Sequence, residues 1–309
     1  MMSKMVLLTG FLGAGKTTFL NHILEEYEDK KIGLIINEFS QTGIDGALIR
    51  HSEDVSEMIE LNNGSVFCAC LKDKFAEALA EMAGRNLEYV FIEASGMADP
   101  SNIENILAYI KANQGRGYQY LGSICLVDAT YFREYLDVLP VLKRQIERCC
   151  AAIVNKKDLD SHEDIEMISD IIYEINPQIT VYPASYADVS IEKIIQESPV
   201  VFGSDDSINT PLTRPITHTL KSREALTADQ WKRFLKEIVP STYRVKGFAK
   251  TVGGMVTVNC VGEEIDLQES ADQINETKLV IFSSVGIRIT SVVLQAVSKY
   301  FKDKVELQR

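Results

Sequence analysis

Short apolar runs alternate with longer amphipathic stretches over the first two thirds of the chain. The apolar runs lie at 5–8, 32–36, 89–92, 122–127, 151–154 and 179–182. Helix-like patterns lie between them, among others at 73–83, 101–113 and 162–175. Strands that alternate with helices form βαβ units, in which helices cover both faces of a mainly parallel sheet. The pattern therefore predicts an α/β domain over residues 1–196.

The last third of the chain has a different pattern. Residues 197–215 are punctuated by Pro, Ser and Asp, which predicts a linker. Beyond this segment, strand-like stretches at 216–220, 243–251, 255–261 and 278–283 accompany helix-like stretches at 228–238 and 290–301. This mixture predicts a smaller C-terminal α+β domain at 216–309.

The residues after the first apolar run carry a phosphate-binding motif. They read G-x-x-x-x-G-K-T from Gly10 to Thr17, between a strand-like and a helix-like stretch, which is the context that the motif requires. Small residues let successive backbone N–H groups surround a phosphate, and the next helix directs its positive end at the same anion. Lys16 is expected to reach the β- and γ-phosphates, and the Thr17 hydroxyl to bind Mg²⁺. The motif thus predicts a P-loop NTPase domain, with phosphate-binding residues Gly10, Gly13, Ala14, Gly15, Lys16, Thr17 and Thr18.

A polar motif after the apolar run at 151–154 indicates which base is bound. It reads Asn155-Lys156-Lys157-Asp158. The Asp158 carboxylate can accept two hydrogen bonds from the ring N–H and the exocyclic amine of guanine, whereas adenine presents a different edge. Asn155 can brace the loop, and the stem of Lys156 can lie along the base. At this distance behind a P-loop, the motif predicts GTP as the nucleotide.

Two segments are predicted to respond to the γ-phosphate. Glu93, at the end of the third apolar run, is placed to hold Mg²⁺ through a water molecule, and the Gly96 N–H to meet the γ-phosphate. The polar loop after the second run is the predicted first switch, in which Asp45 or Gln41 orients the attacking water, with Glu38 as a further alternative. The alternative is that acidic residues at strand ends cap the next helix. The predicted catalytic residues are Lys16, Thr17, Glu93 and Asp45.

Two of the six cysteines stand one residue apart, at Cys68 and Cys70. Two such thiolates can reach one cation such as Zn²⁺, but a closed site needs further ligands, and the usual zinc spacing is C-x₂-C. The alternative is a pair of buried structural thiols. The other cysteines stand in apolar stretches and are predicted to lie in the core: Cys125, Cys149, Cys150 and Cys260.

Together these motifs resemble those of the CobW family of P-loop GTPases, which is grouped with the nickel-insertion GTPases of urease and hydrogenase maturation. Five blocks match in order: Gly10 to Thr17, Asn37-Glu38-Phe39 leading to Gly43-Ile44-Asp45-Gly46, Glu60-Leu61 with Asn63-Gly64, Glu93 to Pro100, and Asn155 to Asp158. Arg244-Val245-Lys246-Gly247 resembles the R-x-K-G stretch of the second domain of that family. The resemblance covers both predicted domains and implies a GTPase that handles a divalent metal.

The chain departs from this family at the metal motif. Relatives have C-x-C-C after Asn-Gly, with cysteines that ligate Zn²⁺ or a similar ion, whereas this chain has Ser65, Val66, Phe67 and Cys68, with Cys70 beyond. The resemblance implies an altered site around Cys68 and Cys70, with Glu38 as a candidate third ligand. Because Glu38 lies in the predicted switch loop, the γ-phosphate would then be coupled to metal binding. Relatives serve zinc or are named for cobalamin, so the predicted metal is Zn²⁺ or Co²⁺.

The composition of the chain indicates which classes of partner it binds and in which cellular compartment it lies. The net charge of −12 and the pI near 4.9 argue against binding to nucleic acids or anionic membranes, which requires basic patches. No apolar run approaches the ~20 residues of a membrane span. Six scattered cysteines without a signal-like segment predict reduced thiols and a cytoplasmic location.

Three functions agree with these motifs. The first is a GTP-hydrolysing metallochaperone or insertase that serves a metalloprotein client. The second is a GTPase switch that acts on a partner protein, with purely structural cysteines. The third is a P-loop kinase, which the guanine motif disfavours because kinases usually use ATP. We predict the first, with slow intrinsic hydrolysis because no motif supplies an arginine to the transferred phosphoryl group. The client and the choice between monomer and homodimer stay open.

Overall fold

The computed structural model describes residues 2–37, 55–61, 72–200, 215–270, 276–302 and 305–308. The chain divides into two compact units, Met1–Thr213 and Arg214–Arg309. Residues 201–214 of the predicted linker lie outside the described residues. In the described part of the chain, no helix combines the length and the apolar character needed to cross a membrane.

The first unit contains a parallel sheet, which has seven strands among the described residues, in the order β3-β2-β4-β1-β5-β6-β7. The strands are β1 (Ser3–Gly10), β2 (Ile32–Asn37), β3 (Glu57–Leu61), β4 (Tyr89–Glu93), β5 (Tyr118–Asp128), β6 (Ala151–Asn155) and β7 (Thr180–Pro183). The inner strands β2, β4 and β6 are buried along their whole length, because helices cover both of their faces. The predicted α/β class is confirmed.

Helices pack on both faces of this sheet. They are α1 (Lys16–Glu26), α2 (Lys72–Ala83), α3 (Ile103–Gln114), α4 (Phe132–Leu136), α5 (Pro140–Glu147), α6 (His162–Ile175) and α7 (Ile191–Glu197). Alternate residues of a strand point to opposite faces. Accordingly, Val6 of β1 joins the core formed with α1 and α7, whereas Leu7 joins the core formed with α2 and α3.

The structure contains elements of the first unit that the apolar pattern did not predict. These are β3 and the helices α4, α5 and α7. Strand β3 is one of the two edge strands among the described residues. Its residues alternate between half-buried and exposed, so it lacks the continuous apolar run of the inner strands. The three missed helices are only five to eight residues long, which is too short for a clear helical period.

The second unit is built on an antiparallel sheet, in the order β11-β10-β9-β12-β8-β13 among the described residues. Its elements are β8 (Thr217–Ser222), α8 (Ala228–Ile238), β9 (Thr242–Thr251), β10 (Gly254–Val261), β11 (Glu264–Glu269), β12 (Thr277–Ser283), α9 (Ile289–Tyr300) and β13 (Glu306–Gln308). Trp231 and Phe234 of α8 contact Phe301 edge-on in its core. This arrangement confirms the smaller α+β domain.

Candidate functional site

The predicted site residues that the structure describes lie at, or shortly after, the carboxyl ends of β1, β4 and β6. Gly10 ends β1, Glu93 ends β4 and Asn155 ends β6. Strand β1 lies between β4 and β5, so the connections of the sheet diverge to either side of it. In open α/β sheets a ligand binds in the crevice outside such strand ends.

The loop between β1 and α1 has the shape of a phosphate cradle. Gly10 and Gly15 have φ values of 128° and 103°, in the region that favours glycine. A Cβ atom on Gly10 would lie 2.2 Å from the carbonyl oxygen of Leu126, so the loop lies directly against β5. Because Gly15 precedes α1 and has no side chain to cap it, the first N–H groups of this helix suit an anion.

Lys16 is folded back over this loop. Its side chain is 6% exposed, and its Nζ donates hydrogen bonds to the carbonyl oxygens of Gly10 at 2.8 Å and Phe11 at 3.0 Å. The ammonium group is thus held at the loop by acceptors weaker than a phosphate. It is therefore placed to exchange these carbonyls for phosphate oxygens.

Thr17 and Glu93 form a pair of oxygen donors beside the loop. The Thr17 hydroxyl donates to Oε1 of Glu93 at 3.0 Å, and Glu93 is 5% exposed. Register brings them together, because Glu93 on β4 lies opposite Leu8 on β1, just before the phosphate loop. Hydroxyl and carboxylate oxygens are hard ligands of the kind that Mg²⁺ prefers, so these residues fit a magnesium ion.

The turn after Glu93 touches the phosphate loop. A Cβ atom on Gly96 would lie 2.7 Å from the backbone nitrogen of Leu12. Gln145 of α5, buried at 1% exposed, holds the turn from behind, because its amide donates to the carbonyl of Ala98 at 2.9 Å and lies 3.4 Å from that of Gly96. Gln145 was not among the predicted site residues, because a single amide in a short helix carries no motif.

The predicted base-recognition residues meet the phosphate loop through Asn155. Its Nδ2 donates to the carbonyl of Ala14 at 2.9 Å, and its Oδ1 accepts from the N–H of Ala187 at 2.7 Å. The N–H of Lys157 donates to the carbonyl of Ala184 at 3.0 Å, which joins the motif to the loop after β7. These bonds connect the two predicted halves of the nucleotide site before a ligand binds.

Lys156 and Asp158 occupy different surroundings. The Nζ of Lys156 lies 2.7 Å from Oδ2 of Asp128, which is the last residue of β5 and was not among the predicted site residues. Asp158 lies on a short turn of 3₁₀ helix, Lys157–Leu159. Together with Ser185 and one side of α6, it lines an open cavity of about 880 Å³.

The remaining predicted residues divide into two groups. Gly13 and Thr18 lie in the phosphate loop and on the first turn of α1, beside the residues above. Glu38, Gln41, Asp45, Cys68 and Cys70 lie outside the described residues. Among the described residues, no group of three or more His, Cys, Asp or Glu side chains is arranged as a metal site.

The other four cysteines are buried, as predicted, and have no disulfide partner among the described residues. Burial raises the pKa of Cys149 well above its ordinary value, that of Cys150 to about 11 and that of Cys260 to about 12. Burial thus disfavours the thiolate of these three cysteines, which is the form that ligates a metal.

Comparison with known proteins gives a family match and several relatives. Residues 4–183 match the family model described as CobW/HypB/UreG, nucleotide-binding domain. The chain is 28% identical over 225 residues to the zinc chaperone YjiA of Escherichia coli, an alignment that covers 71% of this chain and 67% of the relative. It is 26% identical over 230 residues to zinc-regulated GTPase metalloprotein activator 1 of Dictyostelium discoideum, covering 61% and 47%.

A shorter alignment, of 103 residues at 39% identity, relates the chain to the zinc chaperone CobW of Pseudomonas aeruginosa and covers 30% of this chain and 27% of the relative. Among solved structures, the Zn(II)-bound YjiA GTPase from E. coli matches with a TM-score of 0.47 and 20% identity, over 98% of this chain and all of that one. The chain thus spans about two thirds of the length of its E. coli relative and less than half of the other two.

Proposed function

Because the chain belongs to the CobW/HypB/UreG family, whose model matches more than half of its length, we propose that it is a GTP-hydrolysing metallochaperone. In this proposal, nucleotide-driven switching holds a divalent metal, Zn²⁺ or Co²⁺, or delivers it to a metalloprotein client. The predicted resemblance to the CobW family and the predicted GTPase class are confirmed by this membership and by the names of the relatives. The structural observation that supports the nucleotide half is the convergence of Lys16, Thr17, Glu93 and Asn155 on one sheet edge.

In the proposed reaction, the residues of the chain position the triphosphate and its attacking water. Mg²⁺, when bound, neutralises charge on the β- and γ-phosphate oxygens, and Thr17 and Glu93 would hold it. Lys16 leaves the carbonyls of Gly10 and Phe11 for the phosphates. The Gly96 N–H meets the γ-phosphate, and Asp45 or Gln41 orients the water. These residues only position the reactants and the metal ion, and no predicted arginine contacts the transferred phosphoryl group. We therefore expect slow GTP hydrolysis in the absence of a partner.

The proposed binding of a divalent metal is supported by the sequence and by the names of the relatives. Two relatives are named zinc chaperones, and a third is named a zinc-regulated GTPase metalloprotein activator. The proposed ligands are Cys68, Cys70 and Glu38, which all lie outside the described residues. The cytoplasmic location and the metalloprotein client stay predictions, and the choice between monomer and homodimer stays open.

The base assignment is tested by Asp158→Asn. Xanthine carries a carbonyl where guanine carries its exocyclic amine, so an asparagine amide can pair with xanthine where the carboxylate pairs with guanine. We expect the affinity for GDP to fall at least about tenfold and that for xanthosine diphosphate to rise, whereas Lys16→Ala abolishes triphosphate binding with either base. Titration with fluorescent nucleotides measures these affinities for both variants. If Asp158→Asn keeps the preference of the wild type for GDP over ADP, the base assignment is wrong.

The metal assignment is tested by anaerobic titration of Zn²⁺ and Co²⁺ in the presence of a GTP analogue or of GDP. The wild type is compared with the variant Cys68→Ser/Cys70→Ser. We expect binding that requires both thiols and that changes with the nucleotide, because Glu38 lies in the predicted switch loop. If neither nucleotide state shows thiol-dependent binding, the chain is instead a regulatory GTPase that acts on a partner protein, with structural cysteines.

A further inference from the structure

A buried ion pair joins the ends of β5 and β6 beside the base-recognition residues. Asp128 ends β5 and lies in register with Asn155, which ends β6. The Nζ of Lys156 lies 2.7 Å from Oδ2 of Asp128, with side chains that are 20% and 6% exposed. The other oxygen, Oδ1, accepts a hydrogen bond from the backbone N–H of Thr130 at 3.1 Å. Oδ1 of Asp128 therefore accepts a hydrogen bond, whereas Oδ2 accepts none and is matched by the nearby ammonium charge of Lys156.

The backbone of Lys156 is in an uncommon conformation. Its φ of 64° and ψ of 30° lie in the left-handed region, which is unfavourable for a residue other than glycine. Hydrogen bonds hold both neighbours, since Asn155 bonds to Ala14 and Ala187, and the N–H of Lys157 bonds to Ala184. A strained residue persists where its surroundings fix it, and such residues are concentrated at ligand sites.

The fold of β5 does not explain why position 128 carries a charged residue. An asparagine oxygen would accept the hydrogen bond from Thr130 equally well. A buried carboxylate, in contrast, costs free energy unless a cation compensates it. Among the described residues, the one cation within ion-pair distance of Asp128 is Lys156, which belongs to the base motif. The charge of Asp128 therefore acts on Lys156.

We propose that Asp128 is a positioning residue of the base site. Its carboxylate holds the ammonium group of Lys156 over the end of β5, so that the methylene stem of Lys156 forms a fixed apolar wall for the base. This inference rests on the proposed guanine-nucleotide function. A side chain that is ordered before binding loses less conformational entropy when the ligand arrives, so removal of its anchor weakens binding of the base.

The test compares ligands with and without a base. Asp128→Asn keeps the size of the side chain and the acceptor for Thr130, but it removes the charge. We expect its affinity for GDP to fall about tenfold and its affinity for pyrophosphate, which contacts only the phosphate loop, to change less than about twofold. Asp137→Asn, at an exposed position in the same connection between β5 and β6, should leave both affinities unchanged.

A second variant shows whether the effect passes through Lys156. Lys156→Met keeps an unbranched apolar stem and needs no carboxylate partner. In this background, Asp128→Asn should have no further effect on the affinity for GDP, which is the coupling expected of residues that act as a pair. An additional tenfold loss in the double variant would contradict the proposal.

Two further outcomes overturn the inference and separate it from the proposed function. If the wild type binds GDP no better than ADP, both the guanine assignment and the role of Asp128 are wrong. Two results would show that only the role of Asp128 is wrong, provided that the wild type prefers GDP to ADP. In the first, Asp128→Asn binds GDP as tightly as the wild type does. In the second, Asp128→Asn loses affinity for GDP and for pyrophosphate by the same factor. Equal losses would indicate general damage to the sheet edge, because pyrophosphate carries no base for Lys156 to contact.

Discussion

Asn155 occupies the point where the phosphate loop and the loop after β7 meet. It donates to the carbonyl of Ala14 and accepts from the N–H of Ala187, so its side chain cannot turn away without loss of two buried hydrogen bonds. Gly15 lies against it, and a Cβ atom there would be 2.4 Å from Nδ2 of Asn155. Glycine at position 15 is therefore needed for the close contact with Asn155 as well as for the shape of the phosphate loop.

At the residue scale, we predict that Gly15→Ala lowers the affinity for GDP more than about tenfold. The new methyl group would have to displace Asn155, and alanine is disfavoured at a φ of 103°. The control is Gly117→Ala, since a Cβ atom on Gly117 meets only the side chain of Lys111, at ordinary contact distances of 3.5 Å and more. Isothermal titration calorimetry measures the affinity of both variants for GDP. An affinity within about twofold of the wild type would show that Asn155 can move aside without loss.

Helices α1 and α7 are joined although they are far apart in sequence. The Glu26 carboxylate, at the end of α1, accepts hydrogen bonds from the hydroxyl of Ser190 at 2.7 Å and from the backbone N–H groups of Ile191 at 2.9 Å and Glu192 at 3.2 Å. One turn earlier, Nε2 of His22 lies 3.0 Å from the carbonyl oxygen of Tyr186. The helix that follows the phosphate loop thus also holds the segment that follows β7.

At the element scale, we predict that Glu26→Ala loosens α7. Its carboxylate satisfies N–H groups of the first helical turn, a contribution of about 1 kcal/mol to stability. We expect faster hydrogen–deuterium exchange of the amides at 191–197 and a lower midpoint of urea denaturation. Glu28→Ala, at an exposed position just beyond α1, is the control and should change neither quantity. Unchanged exchange in Glu26→Ala would mean that packing alone holds α7.

On the scale of the whole molecule, the thiols divide into two classes. Cys125, Cys149, Cys150 and Cys260 lie in the cores of the two units, whereas Cys68 and Cys70 belong to the proposed metal site. Burial favours the neutral thiol, so the folded pKa values of Cys150 and Cys260 exceed the ordinary value of 9.0. The corresponding stabilisation is complete below about pH 9 and is lost as the pH rises through about 11 to 12.

We therefore predict that native protein at pH 8 shows at most two fast-reacting thiols towards Ellman's reagent, against six after unfolding. A thiol with a pKa of about 12 has about a thousandfold less thiolate at this pH than one with a pKa of 9.0, and burial slows its reaction further. In Cys68→Ser/Cys70→Ser, no fast-reacting thiol should remain. A third fast-reacting thiol in the wild type would contradict the protection that burial implies.

Elements with a long and regular pattern could be predicted from the sequence. Helices α6 and α8 begin and end at the predicted residues, and both have a polar N-cap, Ser161 and Thr227, in front of an apolar stripe. The short helices and the edge strand β3 were missed. Their hydrophobic pattern is brief or alternates with polar residues, so packing against neighbours, and not local preference, determines them.

The sequence by itself determined the two fold classes, the family and the identity of the nucleotide-binding motifs, because these depend on residues close together in the chain. Only the tertiary structure showed that Asp128 holds Lys156, that Gln145 supports the turn after Glu93, and that Glu26 caps a helix 164 to 166 residues away. These contacts join residues whose sequence neighbours carry no sign of the partner. The contacts of Asp128 and Gln145 exist because the parallel sheet brings the carboxyl ends of its strands to one edge. The contact of Glu26 exists because α1 and α7 pack in the same core.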